Sequence, residues 1–342
     1  MAKFILVFVS LLVFQFFISC KDGSSADNEQ KDTIQIALKD SSSFELEELN
    51  KMILEDPNNK SLYLQRGKLF VKNLDLESAE NDFKRILKID SNFAEAYSNL
   101  ADIYLMRGTA TAVKSTLEIG LAKVPESNEL KLKLAELQLY LKNYKDCITA
   151  LDDVLKSDKY NAKAYYIKGM AFKEMGDTAK SVSSFQTAVE QDPDYYHAYL
   201  QLAALFATDY NPIALQYFNS AIKLNPTSTE ALYGAGLFYQ EMGNVEKALE
   251  AYDIILKIDP MHFDAYYNSG FVHSEMLKDY NTAIKFYTDA INVDNKQVKA
   301  YYMRGYAFER LKDKKQAENN YRMALGIQPD YTLAAEGLSR IL

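Results

Sequence analysis

Cysteine and histidine are scarce in this 342-residue sequence, and its side chains show no catalytic arrangement. The sequence has 2 cysteines and 3 histidines. Near His197 there is no cysteine, second histidine or carboxylate pair at the spacing of metal ligands. Phosphate-binding glycine loops and the G-x-S-x-G and H-E-x-x-H motifs are also absent. We therefore predict that the protein is not an enzyme and uses neither a cofactor nor a metal ion.

The charge of the chain also limits its partners. The sequence contains 39 lysines and arginines against 47 acidic residues, a formal net charge of −8. Binding to nucleic acid relies on a cationic surplus that displaces counterions from the phosphate backbone. The composition therefore predicts no nucleic-acid partner.

Cys20 is the residue whose surroundings predict a chemical modification. Lys3 precedes an uncharged, mostly apolar run over residues 4–18. As a helix this run would extend about 22 Å, short of a hydrocarbon core about 30 Å thick. Such a segment is typical of a signal peptide, here residues 1–19. The run ends at residues 17–20 in Phe-Ile-Ser-Cys, which resembles the bacterial lipobox.

The lipobox resemblance implies cleavage before Cys20 and acylation of this cysteine, with palmitate among the acyl groups. It thereby implies a lipid-anchored protein of the bacterial cell envelope. Lys21, rather than aspartate, follows the cysteine, and by resemblance this favours the outer membrane, on its periplasmic or surface face. Residues 20–43 are polar without a helical period, which predicts a flexible tether. The alternative is an uncleaved signal anchor or short membrane helix.

The rest of the sequence repeats itself at a fixed period. A row of small residues recurs once per period, at Gly67, Ala101, Ala135, Gly169, Ala203, Gly236, Gly270 and Gly305. Six of the seven prolines are separated from one another by close to one or two of the same periods. Self-similarity at a fixed period in this range indicates a repeat architecture.

The repeated pattern resembles the tetratricopeptide repeat, a helix–turn–helix unit of about 34 residues. The resemblance implies an all-α solenoid, a right-handed superhelix of paired helices. Eight repeats fit, at 60–93, 94–127, 128–161, 162–195, 196–228, 229–262, 263–297 and 298–331. Positions below are counted from the first residue of each repeat. Residues 44–59 are predicted to form an N-terminal half-repeat helix, and residues 332–342 a C-terminal capping helix.

Some details of the pattern are irregular. Repeat five is one residue short near Asn211 and Pro212, where Asn211 is suited to cap the second helix. Repeat seven has one extra residue, which we place around residues 278–280. In the capping helix, we expect Ala335, Leu338 and Leu342 to face inward.

The family resemblance implies that positions 2, 5, 9 and 12 of the first helices line a concave groove that binds a protein or peptide segment. At position 9, repeats one to three carry Lys68, Asp102 and Glu136, whereas later repeats carry apolar residues. The predicted groove residues are Tyr166, Tyr233, Leu237, Tyr267, Phe271, Tyr302 and Tyr306. Generic packing is the alternative role for the tyrosines at position 5, a position where tyrosine is common in the family.

These observations predict a non-enzymatic, membrane-anchored scaffold that binds a protein partner in its groove. By resemblance, its place would be in envelope assembly, secretion or recruitment of other proteins. Two alternatives remain open at this stage. The protein could be an accessory subunit or regulator of an envelope protease or cell-wall hydrolase. It could also be a self-assembling structural lipoprotein whose groove holds a second copy.

Overall fold

The computed structural model describes residues 44–342, so the predicted signal peptide, Cys20 and tether lie outside the described residues. The chain divides into two compact units between Gln191 and Asp192. We call these the N-terminal unit and the C-terminal unit. All regular structure in the described residues is helical, which confirms the predicted all-α class.

The N-terminal unit consists of helices that follow one another at short turns. Its first described helix, α1, spans 44–55. The following eight are α2 (Lys60–Lys72), α3 (Leu76–Ile89), α4 (Ala94–Met106), α5 (Ala110–Lys123), α6 (Asn128–Tyr140), α7 (Tyr144–Ser157), α8 (Ala162–Glu174) and α9 (Thr178–Gln191).

The C-terminal unit continues the same alternation. Its helices are α10 (Tyr196–Thr208), α11 (Ile213–Leu224), α12 (Thr229–Glu241), α13 (Val245–Ile258), α14 (Phe263–Phe271), α15 (Tyr280–Val293), α16 (Val298–Arg310), α17 (Lys314–Ile327) and α18 (Thr332–Ile341). Even-numbered helices are the first helices of the repeats, and α18 stands alone as the last helix.

In the repeats with glycine at position 8, this glycine of the first helix lies against a side chain of the second helix. In repeat seven, a Cβ atom added to Gly270 at position 8 would lie 2.7 Å from a ring carbon of Tyr287. In repeat four, a Cβ on Gly169 would lie 2.6 Å from the ring of Phe185. Both rings are fully buried. A glycine at this position therefore lets the second-helix ring pack directly against the first-helix backbone.

The turn inside most repeats contains one residue with a left-handed backbone. In repeat four this residue is Gly176 (φ +78°), which follows the helix that begins at Ala162. In repeat seven it is Lys278 (φ +56°), and the first helix there begins at Phe263. The stretch from helix start to turn is one residue longer in repeat seven, so the extra residue is accommodated before Lys278.

A π-helical turn over Val272–Met276 holds the extra residue of repeat seven. A π-helix widens the backbone by one residue per turn without ending the helix. The predicted placement around residues 278–280 was therefore a few residues too late.

The short repeat five behaves as its sequence predicts. The Asn211 side chain accepts a hydrogen bond from the Ile213 backbone N–H (Oδ1 to N 3.0 Å). Pro212 has helical backbone angles (φ −58°, ψ −19°), which suits the first turn of α11. The helix that follows has 12 residues, whereas the second helices of the neighbouring repeats have 14.

The inward face of the capping helix differs from the prediction by one residue. Ala334, Gly337 and Ile341 are buried against the preceding helices, with Leu338 packed beside them. Ala335 and Leu342 are exposed. The reason is steric, because a Cβ on Gly337 would lie 2.6 Å from the Tyr321 ring. This close approach sets the rotation of α18.

None of the described helices is long and apolar enough to span a bilayer.

Candidate partner-binding face

The first helices form the inner side of each unit. In the N-terminal unit α6 contacts both α4 and α8, and in the C-terminal unit α12 contacts α10 and α16 contacts α18. Within the described units, second helices of successive repeats do not approach one another as closely. Because a stack bends toward its more closely spaced helices, the first helices lie on the concave side of each unit. We call this side the first-helix face.

In the N-terminal unit, the charged residues at position 9 are paired with the next repeat. Lys68 forms an ion pair with Glu95 (Nζ to Oε1 2.6 Å), and Glu136 forms one with Lys163 (2.8 Å). Asp102 pairs with Lys133 in the same way. These charges therefore join successive first helices of this unit.

Tyr166 is the predicted groove residue that lies in the N-terminal unit. Its ring packs on Phe185 of the same repeat, with centroids 5.6 Å apart, and it borders the core around Leu151 and Ile167. Tyr166 thus takes part in the packing of its own repeat in the N-terminal unit.

The position-5 tyrosines of the C-terminal unit pack in the same way. The rings of Tyr233 and Tyr252 are 6.3 Å apart, those of Tyr267 and Tyr287 are 5.8 Å apart, and those of Tyr302 and Tyr321 are 5.9 Å apart. In each pair the second ring comes from position 24 of the same repeat, once the extra residue of repeat seven is allowed for. One face of each position-5 ring is thus used for packing, while the side chain stays only partly buried.

The residues at position 9 join these tyrosines into one surface. Tyr267, Phe271, Tyr302 and Tyr306 all pack against one buried cluster of Ala283, Tyr287 and Met303. All four are partly exposed. We call these four residues the aromatic band. α14 and α16 position them, because the helical period places positions 5 and 9 on one side of each helix.

Two other predicted residues lie on α12. Tyr233 is connected to α14 because the Asn268 amide donates a hydrogen bond to its hydroxyl (2.9 Å). Leu237 is partly buried on the same helix but does not belong to the band.

Lys299 lies at one edge of the aromatic band and contacts the Tyr267 ring. The Lys299 ammonium lies 4.9 Å from the ring centroid of Phe263 and 4.6 Å from that of Tyr267. It also forms an ion pair with Asp264 (Nζ to Oδ1 3.0 Å).

Burial raises the pKa of Tyr233 to about 12, and the Asp264 carboxylate adds to the shift. Burial likewise raises the pKa of Tyr267, so both hydroxyls are neutral at physiological pH.

Position 12, which was expected to line the groove, has a different role in repeats six to eight. There it provides the hydrogen-bond partner of the buried tyrosine at position 24. The Tyr252 hydroxyl donates to Gln240 (3.0 Å), the Tyr287 hydroxyl bonds to Ser274 (3.0 Å), and the Tyr321 hydroxyl donates to Glu309. Sequence reasoning missed these pairs, although tyrosine at position 24 occurs together with a polar residue at position 12.

The residues considered for chemistry have packing roles or no ligand-like neighbours. Cys147 is buried in the core of α6, α7 and α8, and burial raises the pKa of its thiol to about 12. The His273 ring stacks on Phe286 with centroids 5.3 Å apart. Within residues 44–342, no group of three or more histidines, cysteines or carboxylates could hold a metal ion.

The fold and this face define a helical-repeat protein built from stacked helix–turn–helix units. A family model described as tetratricopeptide repeat matches residues 162–195, 263–297 and 298–331. Two further models with the same description match 64–112 and 214–269. Together the matches cover more than half of the chain, which belongs to the tetratricopeptide-repeat family. This fold typically serves as a non-catalytic scaffold for protein binding.

Curated relatives share the repeats at low identity. A DnaJ protein P58IPK homolog of Arabidopsis thaliana is 25% identical over 201 residues, covering 54% of this chain and 42% of that protein. A TPR repeat-containing protein of Methanocaldococcus jannaschii is 20% identical over 301 residues, covering 84% of this chain and 49% of that protein. The chain therefore spans about half the length of these relatives.

Solved structures share the same architecture. The C-terminal part of a TPR repeat-containing protein from Cytophaga hutchinsonii has a TM-score of 0.50 at 17% identity, covering 80% of this chain and 98% of that one. The APC/C hetero-tetramer Cut9-Hcn1 also gives 0.50, at 16% identity, covering 84% of this chain and 56% of the matched chain. Both similarities support the tetratricopeptide-repeat fold.

Proposed function

We propose that this protein is a non-enzymatic scaffold that binds a segment of a partner protein on the aromatic band of its C-terminal unit. We further propose that it is anchored to the outer membrane of a bacterial cell through acylated Cys20. In that place it would act in envelope assembly, secretion or the recruitment of other envelope proteins.

The aromatic band is the observation that carries the binding role. Four large rings from two successive repeats remain partly exposed on the concave side of the unit. Contiguous apolar surface of this kind is typical of interaction sites. Aromatic rings also provide contact area at a low cost in side-chain entropy, which is why they are frequent in binding hot spots.

Reversing the polarity of the band tests this role. Phe271→Glu combined with Tyr306→Glu places two carboxylates on the band, and we expect the double variant to lose its native partner in co-purification from envelope extract. Met323→Glu combined with Ile258→Glu is the matched control, because both residues are exposed and lie on second helices. Retention of the same partners by the Phe271/Tyr306 variant, with an unchanged circular dichroism melting curve, would refute the proposed site.

The sequence before Cys20 supports the proposed anchor. An apolar run that is too short to span a bilayer ends in a small residue and Cys20. Multiple acyl chains would hold the protein stably on a membrane, since each buried methylene contributes about 0.8 kcal/mol. We expect Cys20→Ser to move the protein out of the outer-membrane fraction. Intact-protein mass spectrometry that finds no acyl mass on the wild-type chain would contradict the anchor, and it would leave the binding role untouched.

A further inference from the structure

Two rows of charged side chains border the aromatic band along α12, α14 and α16. The row at position 2 consists of Glu230, Asp264 and Lys299. The row at position 13 consists of Glu241, Glu275 and Arg310, with Glu275 in the π-helical turn that follows α14. On α12 and α16, positions 2, 9 and 13 lie within about 40° of one another around the helix. Both rows are therefore acidic at α12 and basic at α16.

At the basic end of the rows, the cations are already engaged within the chain. Lys299 is paired with Asp264 and rests on the Tyr267 ring. Arg310 donates to the Tyr306 hydroxyl (3.4 Å) and lies over the rings of Tyr280 and Tyr306. Both cations are therefore already paired with groups of this chain around the aromatic band.

At the acidic end, the carboxylates have few or no partners. Glu230 and Glu241 form no ion pair or side-chain hydrogen bond with any other described residue. The Glu275 Oε1 atom is buried without a hydrogen-bond partner, while its Oε2 lies 3.5 Å from Lys278. A buried acceptor of this kind is uncommon in folded proteins and calls for an explanation.

Glu230 and Glu241 both lie on α12, a first helix of the C-terminal unit. Both side chains are exposed to solvent. Unpaired carboxylates on this helix present negative charge to a cationic partner.

We propose that the partner segment is a basic, apolar peptide, with lysine or arginine side chains beside α12 and apolar side chains on the aromatic band. This inference rests on the proposed binding function and specifies the chemistry of the partner. The unpaired carboxylates of Glu230 and Glu241 supply the charge complement. An acidic segment would place like charges against Glu230 and Glu241, which is unfavourable.

The test uses two synthetic probes and the full-length chain with Cys20→Ser. One probe is a short fluorescein-labelled peptide of alternating leucine and lysine, and the other has glutamate in place of each lysine. Fluorescence anisotropy measures their affinities at low and high salt. We expect the lysine probe to bind at least about tenfold more tightly than the glutamate probe, with the difference shrinking as salt rises.

Neutral variants locate the interaction. Glu230→Gln with Glu241→Gln is expected to weaken binding of the lysine probe about three- to tenfold. The control is Glu250→Gln with Asp289→Asn, which removes two charges from the second helices α13 and α15. We expect the control to leave the affinity within about twofold, because these charges lie away from the first-helix face.

Three outcomes would overturn the inference. Equal binding of the two probes would exclude charge selection, and equal weakening by the control variant would show that only net charge matters. Self-association abolished by Phe271→Glu with Tyr306→Glu would identify a second copy as the occupant.

If both probes bind equally and both are lost in the Phe271/Tyr306 variant, the band is a docking surface and only its predicted selectivity is wrong. If the native partner is also retained by that variant, the proposed function itself fails.

Discussion

The Asn268 side-chain amide donates a hydrogen bond to the Tyr233 hydroxyl, with Nδ2 and Oη 2.9 Å apart. Asn268 is buried, and this bond crosses from α14 to α12, the first helices of two successive repeats. It gives the buried amide an acceptor and fixes the ring of Tyr233 beside the aromatic band. Stability and the shape of the binding face are thus coupled at this contact.

A double-mutant cycle tests this coupling. Tyr233→Phe leaves the Asn268 donor unsatisfied, and we expect it to lower the free energy of unfolding by about 1–3 kcal/mol. Asn268→Ala alone should also destabilise, and the double variant should cost less than the sum of the two by about 0.5–1.5 kcal/mol. Urea unfolding gives all three values. Additive effects within about 0.3 kcal/mol would show that the bond contributes nothing.

At Gly270, the close contact between the two helices of repeat seven leaves no room for a larger side chain. Gly270→Ala would place a Cβ 2.7 Å from the fully buried Tyr287 ring, and we expect a loss of about 1–3 kcal/mol through overpacking. Gly326→Ala on α17 is the matched control, because no atom lies within 4 Å of the added Cβ. The control should gain about 0.5–1 kcal/mol from its higher helix propensity. Equal melting temperatures for the two variants would contradict the predicted contact.

We expect the ionised Glu80 side chain to contribute to the free energy of unfolding of the N-terminal unit, and acid to remove this contribution. Burial opposes ionisation, but hydrogen bonds from Lys84, Arg107 and Tyr104 outweigh it and lower the pKa of Glu80 to about 2. Its usual pKa is 4.5, so the folded state favours the carboxylate. The stabilisation is therefore complete above about pH 5 and is lost as the pH falls toward 2.

The Glu80 contribution is at most about 3 kcal/mol, from roughly 1.4 kcal/mol per pKa unit. Urea unfolding of the wild type and of Glu80→Gln at several pH values measures it. We expect the stability difference between the two proteins to shrink steadily from pH 5 to pH 2. A difference that does not change with pH would contradict the assigned network.

We expect the Cys147 thiol to be protected from alkylation because it is buried in the core. Because burial raises its pKa to about 12, almost none of it is thiolate at pH 8. In the Cys20→Ser variant, we expect iodoacetamide to leave the folded protein unlabelled and to label it fully in guanidinium chloride. Mass spectrometry reports the label. Native labelling at the rate of a free cysteine would place Cys147 outside the core.

The architecture could be predicted because its signals are local and repeat. The small residue at position 8 and the ring at position 24 recur in sequence, and Gly270 and Tyr287 meet in space for the steric reason that selects them. The cap at Asn211 and the absence of a residue in repeat five were also readable, since capping depends on a few neighbouring residues.

Other features depend on packing between elements and were missed or misplaced. The π-helical turn at Val272–Met276 absorbs the extra residue of repeat seven, and a count of residues cannot show where a helix widens. The close contact between Gly337 and the Tyr321 ring sets the rotation of α18. The spacing of hydrophobic residues alone therefore predicted an inward face that is one residue out of register. The hydrogen bond between Tyr321 and Glu309 joins positions 24 and 12 of repeat eight. Because it links two helices, it depends on how they pack and could not be predicted from either helix alone.

The central claim is that the aromatic band of the C-terminal unit holds a partner protein. The most direct measurement is site-specific photo-crosslinking in living cells, with p-benzoylphenylalanine placed at Tyr306 or, as the control, at exposed Met323 on α17. We predict a discrete crosslinked species from Tyr306 that is absent from Met323 and that mass spectrometry resolves into this chain and one other protein. Crosslinks from Met323 that equal those from Tyr306, or none from Tyr306, would contradict the claim.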